Sequence, residues 1–223
     1  EVIVSGKTMY DAAAVADAFT RLYPTVSGNA EYTSIITERH AVRLRELLAD
    51  AQAKGATLLR CGADAGSGRQ MPLTVVTRVD ERMQLMQEEL FGPILPVLEY
   101  DSLDDAMALV RRGERPLSLY GLGLSAADQA RVLKETHAGG VTFNDWGWHV
   151  FQHDLPFGGI GNSGMGTYHG EEGFRELSHA KGVFKRHGWF PVGLLYPPYG
   201  NLVQRLAMKF FIGDAPTPPR PPR

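Results

Sequence analysis

Residues 102–144, SLDDAMALVRRGERPLSLYGLGLSAADQARVLKETHAGGVTFN, contain two helix–strand units in succession. Ser102 and Ser125 are each followed three residues later by an aspartate, a spacing typical of the capping box that begins a helix. Gly113 and Gly139–Gly140 follow the two helical stretches, at positions where helices commonly end. Because apolar strand-like runs follow these glycines, the stretch predicts an α/β fold with a parallel sheet.

The same alternation extends in both directions from this stretch. Helices are predicted at Asp11–Tyr23 and from the cap residue Thr37 to Gly55, where apolar residues recur at helical spacing. Strands are predicted at Val2–Val4, Ala56–Arg60, Leu73–Val79, Ile94–Tyr100, Pro116–Leu124 and Val141–Asn144. Few Asn-Gly or Asp-Gly pairs join these strands, which argues against antiparallel hairpins. We therefore predict an α/β fold with an open, mainly parallel, Rossmann-like sheet.

The chain divides into four parts that differ in composition and residue pattern. Residues 1–176 hold the alternating α/β pattern and a loop at 146–170 that is rich in glycine, aromatic residues and histidine. Residues 177–187 are predicted to be an extended strand. Residues 188–214 form an aromatic and amphipathic tail, and residues 215–223 are a Pro-rich end predicted to be disordered.

Composition excludes several classes of protein. The 223 residues carry a net charge of −2, so there is no electrostatic footprint for nucleic acid. A single cysteine, Cys61, rules out an intrachain disulfide and fits a reducing, cytoplasmic compartment. No apolar run reaches the roughly 18 residues expected of a membrane span. Because the chain begins at Glu1, with neither a charged nor an apolar leader region, we expect no signal peptide and expect the chain to be a segment of a longer protein.

Two motifs are distinctive: Glu88-Glu89-Leu90-Phe91-Gly92-Pro93, and the sequence LPFGGIGNSGMGTYHG at residues 155–170. Both resemble segments of the aldehyde dehydrogenase family, and the second resembles its C-terminal glycine loop. The ending Tyr168-His169-Gly170 resembles the class 3 branch, which includes the coniferyl aldehyde dehydrogenases. The resemblance spans roughly Tyr10 to Tyr199 and implies an incomplete catalytic domain.

The resemblance implies NAD or NADP as cofactor and assigns two residues to it. Glu89 matches the glutamate that holds the nicotinamide ribose hydroxyls, and a carboxylate can accept hydrogen bonds from both. Phe91 matches the aromatic residue that packs beside the nicotinamide. From the residues alone, Glu88 and Glu89 could be solvated charges and Phe91 a core residue.

The resemblance places Asn144, Trp146 and Trp148 near the substrate mouth. Both segments, around Phe91 and around Trp148, are predicted to lie outside the carboxyl ends of strands, where α/β sheets bind ligands. The two tryptophans can stack on an aromatic aldehyde, such as a coniferyl-like one. Equally, they can fill a core or an interface, and the sequence leaves both alternatives open.

The chain contains no residue that we predict to be catalytic. Aldehyde oxidation in this family needs a thiolate nucleophile, and the sequence around Cys61 lacks its usual surroundings, so Cys61 is predicted to be a packing residue. The resemblance implies that the nucleophile and the cofactor domain precede Glu1, on a missing N-terminal half or a partner chain. The isolated segment is then expected to be inactive. The alternative is a non-catalytic binding or assembly module.

Assembly and ligand predictions complete the sequence analysis. In the family, the strand at residues 177–187 joins subunits, so a homo-oligomer is expected. His149 and His153 lack a third partner, so no metal site is predicted. The apolar face of residues 202–211 could lie on a membrane surface, but its low cationic content favours docking on its own domain or a sister subunit. The predicted small-molecule partner is an aldehyde, and nucleic acid is excluded.

Overall fold

The computed structural model describes residues 2–5, 12–62, 68–189 and 191–213. The strands in these ranges are β1 (Val2–Ser5), β2 (Thr57–Arg60), β3 (Thr74–Thr77), β4 (Ile94–Pro96), β5 (Ser118–Leu122) and β6 (Gly140–Phe143). The helices are α1 (Ala12–Leu22), α2 (Glu38–Ala53), α3 (Leu103–Arg112), α4 (Ala126–Glu135), α5 (Trp148–Phe151), α6 (Gly170–Glu176) and α7 (Leu202–Ile212).

The strands form two three-stranded sheets. One has the order β1-β5-β6 and is entirely parallel, and the other has the order β2-β3-β4. In the second sheet β3 and β4 are parallel, whereas β2 and β3 are antiparallel. The predicted α/β class with parallel strands is therefore confirmed. The β2–β3 pair differs from the expectation, because these strands are antiparallel although no Asn-Gly or Asp-Gly pair lies between them in the sequence.

The helix caps expected from the sequence are present. The Ser102 hydroxyl accepts from the backbone N–H of Asp105, whose carboxylate accepts from the Ser102 N–H, which completes the capping box of α3. Ser125 caps α4 through the Asp128 N–H, and Thr37 caps α2 through the His40 N–H. Each cap satisfies a donor that the first turn of a helix leaves unpaired.

The parallel sheet has two chemically different faces because side chains alternate along a strand. Leu119 of β5 and Val141 and Phe143 of β6 pack with α3 and α4 around the buried residues Met107 and Val132. The intervening residues of β5 and β6 point to the opposite face. That face carries α5 and is described below with the candidate site.

The second sheet lies between two helices. Val76 of β3 packs with Leu44, Leu47 and other apolar residues of α2, whereas its neighbour Val75 packs on the other face with Ala16 of α1. Because both faces of β3 are buried, its sequence is a continuous run of β-branched residues rather than an alternation of apolar and polar ones.

The described chain separates into two compact units, residues 1–178 and 179–223. The first contains both sheets and α1–α6, and the domain boundary expected after residue 176 stays a prediction. No strand or helix is assigned at residues 178–186, so the predicted bridging strand stays a prediction about an assembly. In the second unit, Asn201 caps α7, and the buried Gln204 bonds to the carbonyl of Tyr196 and the N–H of Gly200. The predicted disordered end, 215–223, lies outside the described residues.

Candidate functional site

The segment containing Glu89 and Phe91 lies at the amino end of β4. Pro93 directly precedes this strand, and its carbonyl accepts from the N–H of Thr74, the first residue of β3, at 2.9 Å. The expectation that the segment sits at the carboxyl end of a strand is therefore wrong for Phe91. Since β3 and β4 are parallel, the connection between them has to return to the edge where both strands begin.

Helix α2 holds this segment through two polar side chains one turn apart. Nη2 of Arg43 donates to the carbonyl of Glu89, while its Nη1 lies 3.3 Å from the Glu88 carboxylate in an ion pair. Nε2 of His40 lies 3.1 Å from the Phe91 carbonyl. A carbonyl only accepts hydrogen bonds, so this contact requires the proton on Nε2. The segment is thus held mainly through its backbone.

The two residues predicted to hold the cofactor remain available to a ligand. The Phe91 side chain is 72% exposed, and the His40 ring lies against it edge to face, with 6.4 Å between the ring centroids. Phe91 has a φ of +52°, a left-handed conformation rare in residues other than glycine and common at functional sites. The Glu89 carboxylate is also exposed, and no hydrogen bond or ion pair of it occurs within the described parts of the chain.

An open depression of about 490 Å³ adjoins Phe91. Its walls include Tyr32, Ile35 and Met71, together with Gly92 and Pro93 of the held segment. The Tyr32 hydroxyl donates to the Met71 carbonyl at 2.7 Å, which fixes one wall. Burial raises the pKa of the Tyr32 phenol, so this hydroxyl remains a neutral donor at physiological pH.

Asn144 follows β6 in a left-handed conformation, with a φ of +59°. Its side-chain oxygen accepts from the N–H of Gly123 at 3.1 Å, and its own N–H donates to the carbonyl of Gly121 at 2.7 Å. These bonds tie the carboxyl ends of β5 and β6 together. Asn144 therefore stabilises the local backbone at the predicted edge of the sheet.

The two predicted aromatic residues lie on the surface beside a second depression. Trp146 is 68% exposed and Trp148 is 61% exposed. Trp148 packs against Phe151 of the same helix, with centroids 6.1 Å apart. With Gln152 and Leu155, these two side chains line an open depression of about 440 Å³. Neither tryptophan fills the core of the described residues.

A buried histidine lies beneath this aromatic surface. His149 is 6% exposed; its Nδ1 is 2.7 Å from the Thr142 hydroxyl, and its Nε2 is 3.3 Å from the Ser118 hydroxyl. A Cβ atom on Gly140 would lie 2.3 Å from the imidazole, so only glycine fits at that strand position. From the sequence, His149 was considered only as a possible metal ligand, and its buried position between two hydroxyl groups was not predicted.

The glycine loop packs closely against itself. Phe157 and Tyr168 exchange two backbone hydrogen bonds, both 2.9 Å long, which close the loop at its base. A Cβ atom on Gly158 would lie 2.1 Å from the Gly166 carbonyl oxygen, and one on Gly159 would lie 2.1 Å from the Ser163 carbonyl oxygen. These glycines therefore serve close backbone approach, and a short 3-10 helix follows at Gly161–Ser163.

The predicted site residues form two groups. Glu89 and Phe91 belong to the segment that α2 holds, and Asn144, Trp146 and Trp148 belong to the loop after β6. The two depressions share no lining residue. Sequence reasoning also missed His40 and Arg43, although their three-residue spacing on a predicted helix places them on one face.

Cys61 occupies the position expected of a packing residue. It is 1% exposed and belongs to the core cluster with Ala16 and Val75. Burial raises the pKa of its thiol, which disfavours the reactive thiolate. Within the described ranges, no group of three histidine, cysteine or acidic side chains is placed to hold a metal ion. None of the helices described is long and apolar enough to cross a bilayer.

Comparison with known proteins places these features in context. The model of the aldehyde dehydrogenase family matches residues 7–183. A probable coniferyl aldehyde dehydrogenase of Pseudomonas aeruginosa is 50% identical over 190 residues, which cover 85% of this chain and 40% of that protein. This chain therefore spans well under half the length of that relative.

Solved structures agree with the sequence comparison. Staphylococcus aureus AldH in a substrate-bound state superposes with a TM-score of 0.70 and 32% identity, over 89% of this chain and 43% of that one. Betaine aldehyde dehydrogenase from Staphylococcus aureus in complex with NAD+ superposes with a TM-score of 0.63 and 25% identity, over 74% of this chain and 34% of that one.

Proposed function

Because the chain belongs to the aldehyde dehydrogenase family of oxidoreductases, we propose that it is the C-terminal part of an enzyme that oxidises an aldehyde to a carboxylic acid with NAD or NADP. In this proposal the nucleophilic cysteine and the dinucleotide-binding domain lie on residues outside this chain. The coniferyl aldehyde dehydrogenase relatives support an aromatic substrate of coniferyl type. A cytoplasmic location and a homo-oligomeric state belong to the same proposal.

The observation that carries the proposal is the presentation of Glu89 and Phe91. Both side chains are exposed, while the backbone between them is fixed by Arg43 and His40. An exposed apolar ring is unfavourable in water, so its fixed presentation suits a flat ligand. The nicotinamide, when bound, accepts the hydride that the aldehyde loses. NAD bound to a related solved structure supports this choice of cofactor.

Each of these residues has a distinct task in binding. The Phe91 ring provides an apolar wall that limits the positions of the nicotinamide. The Glu89 carboxylate accepts hydrogen bonds from the two ribose hydroxyls, which neutral acceptors would bind more weakly. Glu88 is already paired with Arg43, so it helps to hold the segment rather than the ligand.

The aromatic surface after β6 is assigned to the substrate. Trp146 and Trp148 have their ring faces available to stack on an aromatic aldehyde, and Asn144 fixes the start of the loop that carries them. If this assignment is correct, alanine at either tryptophan lowers the ratio of kcat/KM for an aromatic aldehyde to that for an aliphatic one. Variants that keep the wild-type ratio would remove the tryptophans from the substrate site.

One observation favours a second candidate, a non-catalytic binding or assembly module. The only thiol of the chain is buried in a core, with a raised pKa, and cannot attack an aldehyde from there. If no other chain or segment supplies a nucleophile, the exposed aromatic residues would serve association alone. The isolated chain is inactive under both candidates.

The intact mass and subunit composition of the native protein distinguish them. The same sample is assayed for aldehyde-dependent formation of NADH and NADPH. A longer chain, or a second chain with a reactive cysteine, together with reduced cofactor supports the enzyme. A lone chain of this length without turnover contradicts the enzyme and leaves the binding module.

A further inference from the structure

We propose that His149 is a positioning residue for substrate recognition, which fixes α5 on the parallel sheet and so sets the aromatic surface of Trp148 and Phe151. The inference rests on the proposed function of that surface. His149 is not assigned to the chemistry, because its imidazole is buried and faces hydroxyl groups rather than a ligand.

The first argument is the alternation of side chains on β5 and β6. Ser118 pairs with Gly140, and Tyr120 pairs with Thr142, on the face opposite to the α3–α4 core. Two hydroxyl groups and a glycine on one sheet face would form a polar notch in an otherwise apolar region. The imidazole occupies this notch, between the ring of Tyr120 at 6.2 Å and the ring of Phe157 at 5.8 Å.

The second argument is that both ring nitrogens have partners. Thr142 and Ser118 each carry a hydroxyl, which can donate or accept, so either neutral tautomer of His149 satisfies both bonds. The Thr142 oxygen also accepts from the backbone N–H of His149, at 3.4 Å. Thr142 therefore holds both the side chain and the backbone of α5.

Helix α5 lacks a side-chain cap and is too short to be stable alone. The helix is a single turn of four residues, and it begins after Gly147, which has a φ of +66° and provides no side-chain cap. Its other aromatic residues, Trp148 and Phe151, are exposed. A helix this short is not stable by itself, so its orientation depends on the buried side chain between them.

The first experiment measures the protection of α5 in the native protein by amide hydrogen exchange. We expect Thr142→Val, which removes the hydroxyl at nearly constant volume, to accelerate exchange in residues 147–152. Thr142→Ser restores the hydroxyl and is expected to restore protection. Thr136→Val is the matched control, because Thr136 is also buried and donates its hydroxyl to Val132, in a different region.

The second experiment measures specificity in the native, active enzyme. Thr142→Val and His149→Gln are expected to lower the ratio of kcat/KM for aromatic over aliphatic aldehydes by about 3- to 10-fold, the loss expected for one aromatic contact. The change should appear in KM for the aromatic substrate, with kcat altered less than about twofold. A merely structural role would instead lower kcat/KM equally for the aromatic and the aliphatic substrate.

A suppressor provides the sharpest test. Gly140→Ala pushes a methyl group into the imidazole without removing any hydrogen-bonding group, and it should mimic Thr142→Val. Asparagine at position 149 is smaller and keeps a donor near Thr142, so the double variant Gly140→Ala with His149→Asn should recover part of the aromatic preference.

The outcomes separate the two proposals. If the wild-type native protein turns over no aldehyde, the proposed function fails, and hydrogen exchange still decides whether His149 positions α5. If the wild type is active and the variants keep its aromatic preference, the specificity role of His149 is overturned. Unchanged exchange at residues 147–152 in Thr142→Val would overturn the positioning role itself.

Discussion

The segment around Phe91 and the loop around Trp148 both present exposed aromatic rings, yet they are held in opposite ways. Helix α2 holds the first through the partly exposed side chains of Arg43 and His40, which bond to backbone carbonyls. His149 holds the second from beneath, through hydroxyls on a buried sheet face. When a hydrogen bond at the surface is lost, water can replace the missing partner. When a buried hydrogen bond is lost, the remaining polar group stays unpaired at a cost in free energy.

The comparison teaches that similar presentation at the surface hides different tolerance to substitution. Changes around Arg43 are expected to alter ligand binding while the fold survives. Changes around His149 are expected to alter folding stability together with specificity. The following predictions test this difference.

The largest expected difference lies between two glycines with equally close neighbours. An added Cβ would lie 2.3 Å from a Leu44 methyl group at Gly92, and 2.3 Å from the His149 ring at Gly140. Leu44 is fully buried, but the atom that the new methyl group would meet is the end of a flexible side chain, which can shift slightly. The imidazole is instead fixed by two hydrogen bonds. We expect Gly140→Ala to lower the free energy of unfolding by about 2–3 kcal/mol, and Gly92→Ala by about 1 kcal/mol or less.

Urea unfolding of the 223-residue chain measures both variants under the same conditions. Gly182→Ala is the control, because nothing lies within 4 Å of its added Cβ. Equal costs for Gly92→Ala and Gly140→Ala would contradict the proposed contrast between a movable and a fixed neighbour.

The next largest effect concerns the two adjacent glutamates. Glu89→Gln should weaken binding of the cofactor to the native enzyme about tenfold, since it removes a charged acceptor of hydrogen bonds. Glu88→Gln should weaken it less than about twofold, because Glu88 is already paired with Arg43. Calorimetric titration with NAD and NADP measures both, and a larger effect at Glu88 would reverse their roles.

A smaller effect is expected at the start of α2. Thr37→Ala removes the bond that the His40 N–H donates to the threonine hydroxyl, at 3.1 Å. The free energy of unfolding should fall by about 1 kcal/mol, the usual value of a helix cap. Thr37→Ser should retain most of it. If Thr37→Ala leaves the free energy of unfolding unchanged, the first turn of α2, which carries His40, is held by packing alone.

The smallest effect depends on pH. Lys54 and the N–H of Gln84 bond to the Asp50 carboxylate at 2.7 and 2.9 Å and lower its pKa. Because the pKa is lower in the folded state, the stabilisation is present at neutral pH and is lost as the pH falls through the folded pKa. Asp50→Asn should therefore be slightly less stable than wild type at about pH 7, and the difference should disappear once the pH is below the folded pKa.

Lys54→Met serves as the partner control, because it removes the first cause of the pKa shift. It should reproduce part of the loss at neutral pH. A difference between wild type and Asp50→Asn that stays constant from neutral to acidic pH would refute the assignment.

The local elements were predictable because their signals are local. Ser102, Ser125 and Thr37 bond to N–H groups three residues ahead, and such spacing is visible in one sequence. The pairing of strands was less predictable. Neither the antiparallel β2–β3 pair nor the division into two sheets produces a pattern that is visible within a short stretch of sequence.

The candidate site was predictable only where a motif carried it. Glu89 and Phe91 came from the resemblance, yet their place at the amino end of β4 depends on a crossover that the sequence does not specify. His149 was missed because its partners Ser118 and Thr142 come from two strands, and a buried histidine resembles any other in sequence. Whether Trp146 and Trp148 contact substrate remains a prediction.

The burial of Cys61 makes this chain convenient for site-specific labelling. The single thiol within these 223 residues is buried and has a raised pKa, so maleimide reagents should leave Cys61 unmodified in the folded state. In the 223-residue chain, a cysteine introduced by Met165→Cys, at a position 96% exposed in the glycine loop, would then be the one that reacts. A fluorophore or spin label attached there would report on the loop beside the aromatic surface without removal of the native cysteine.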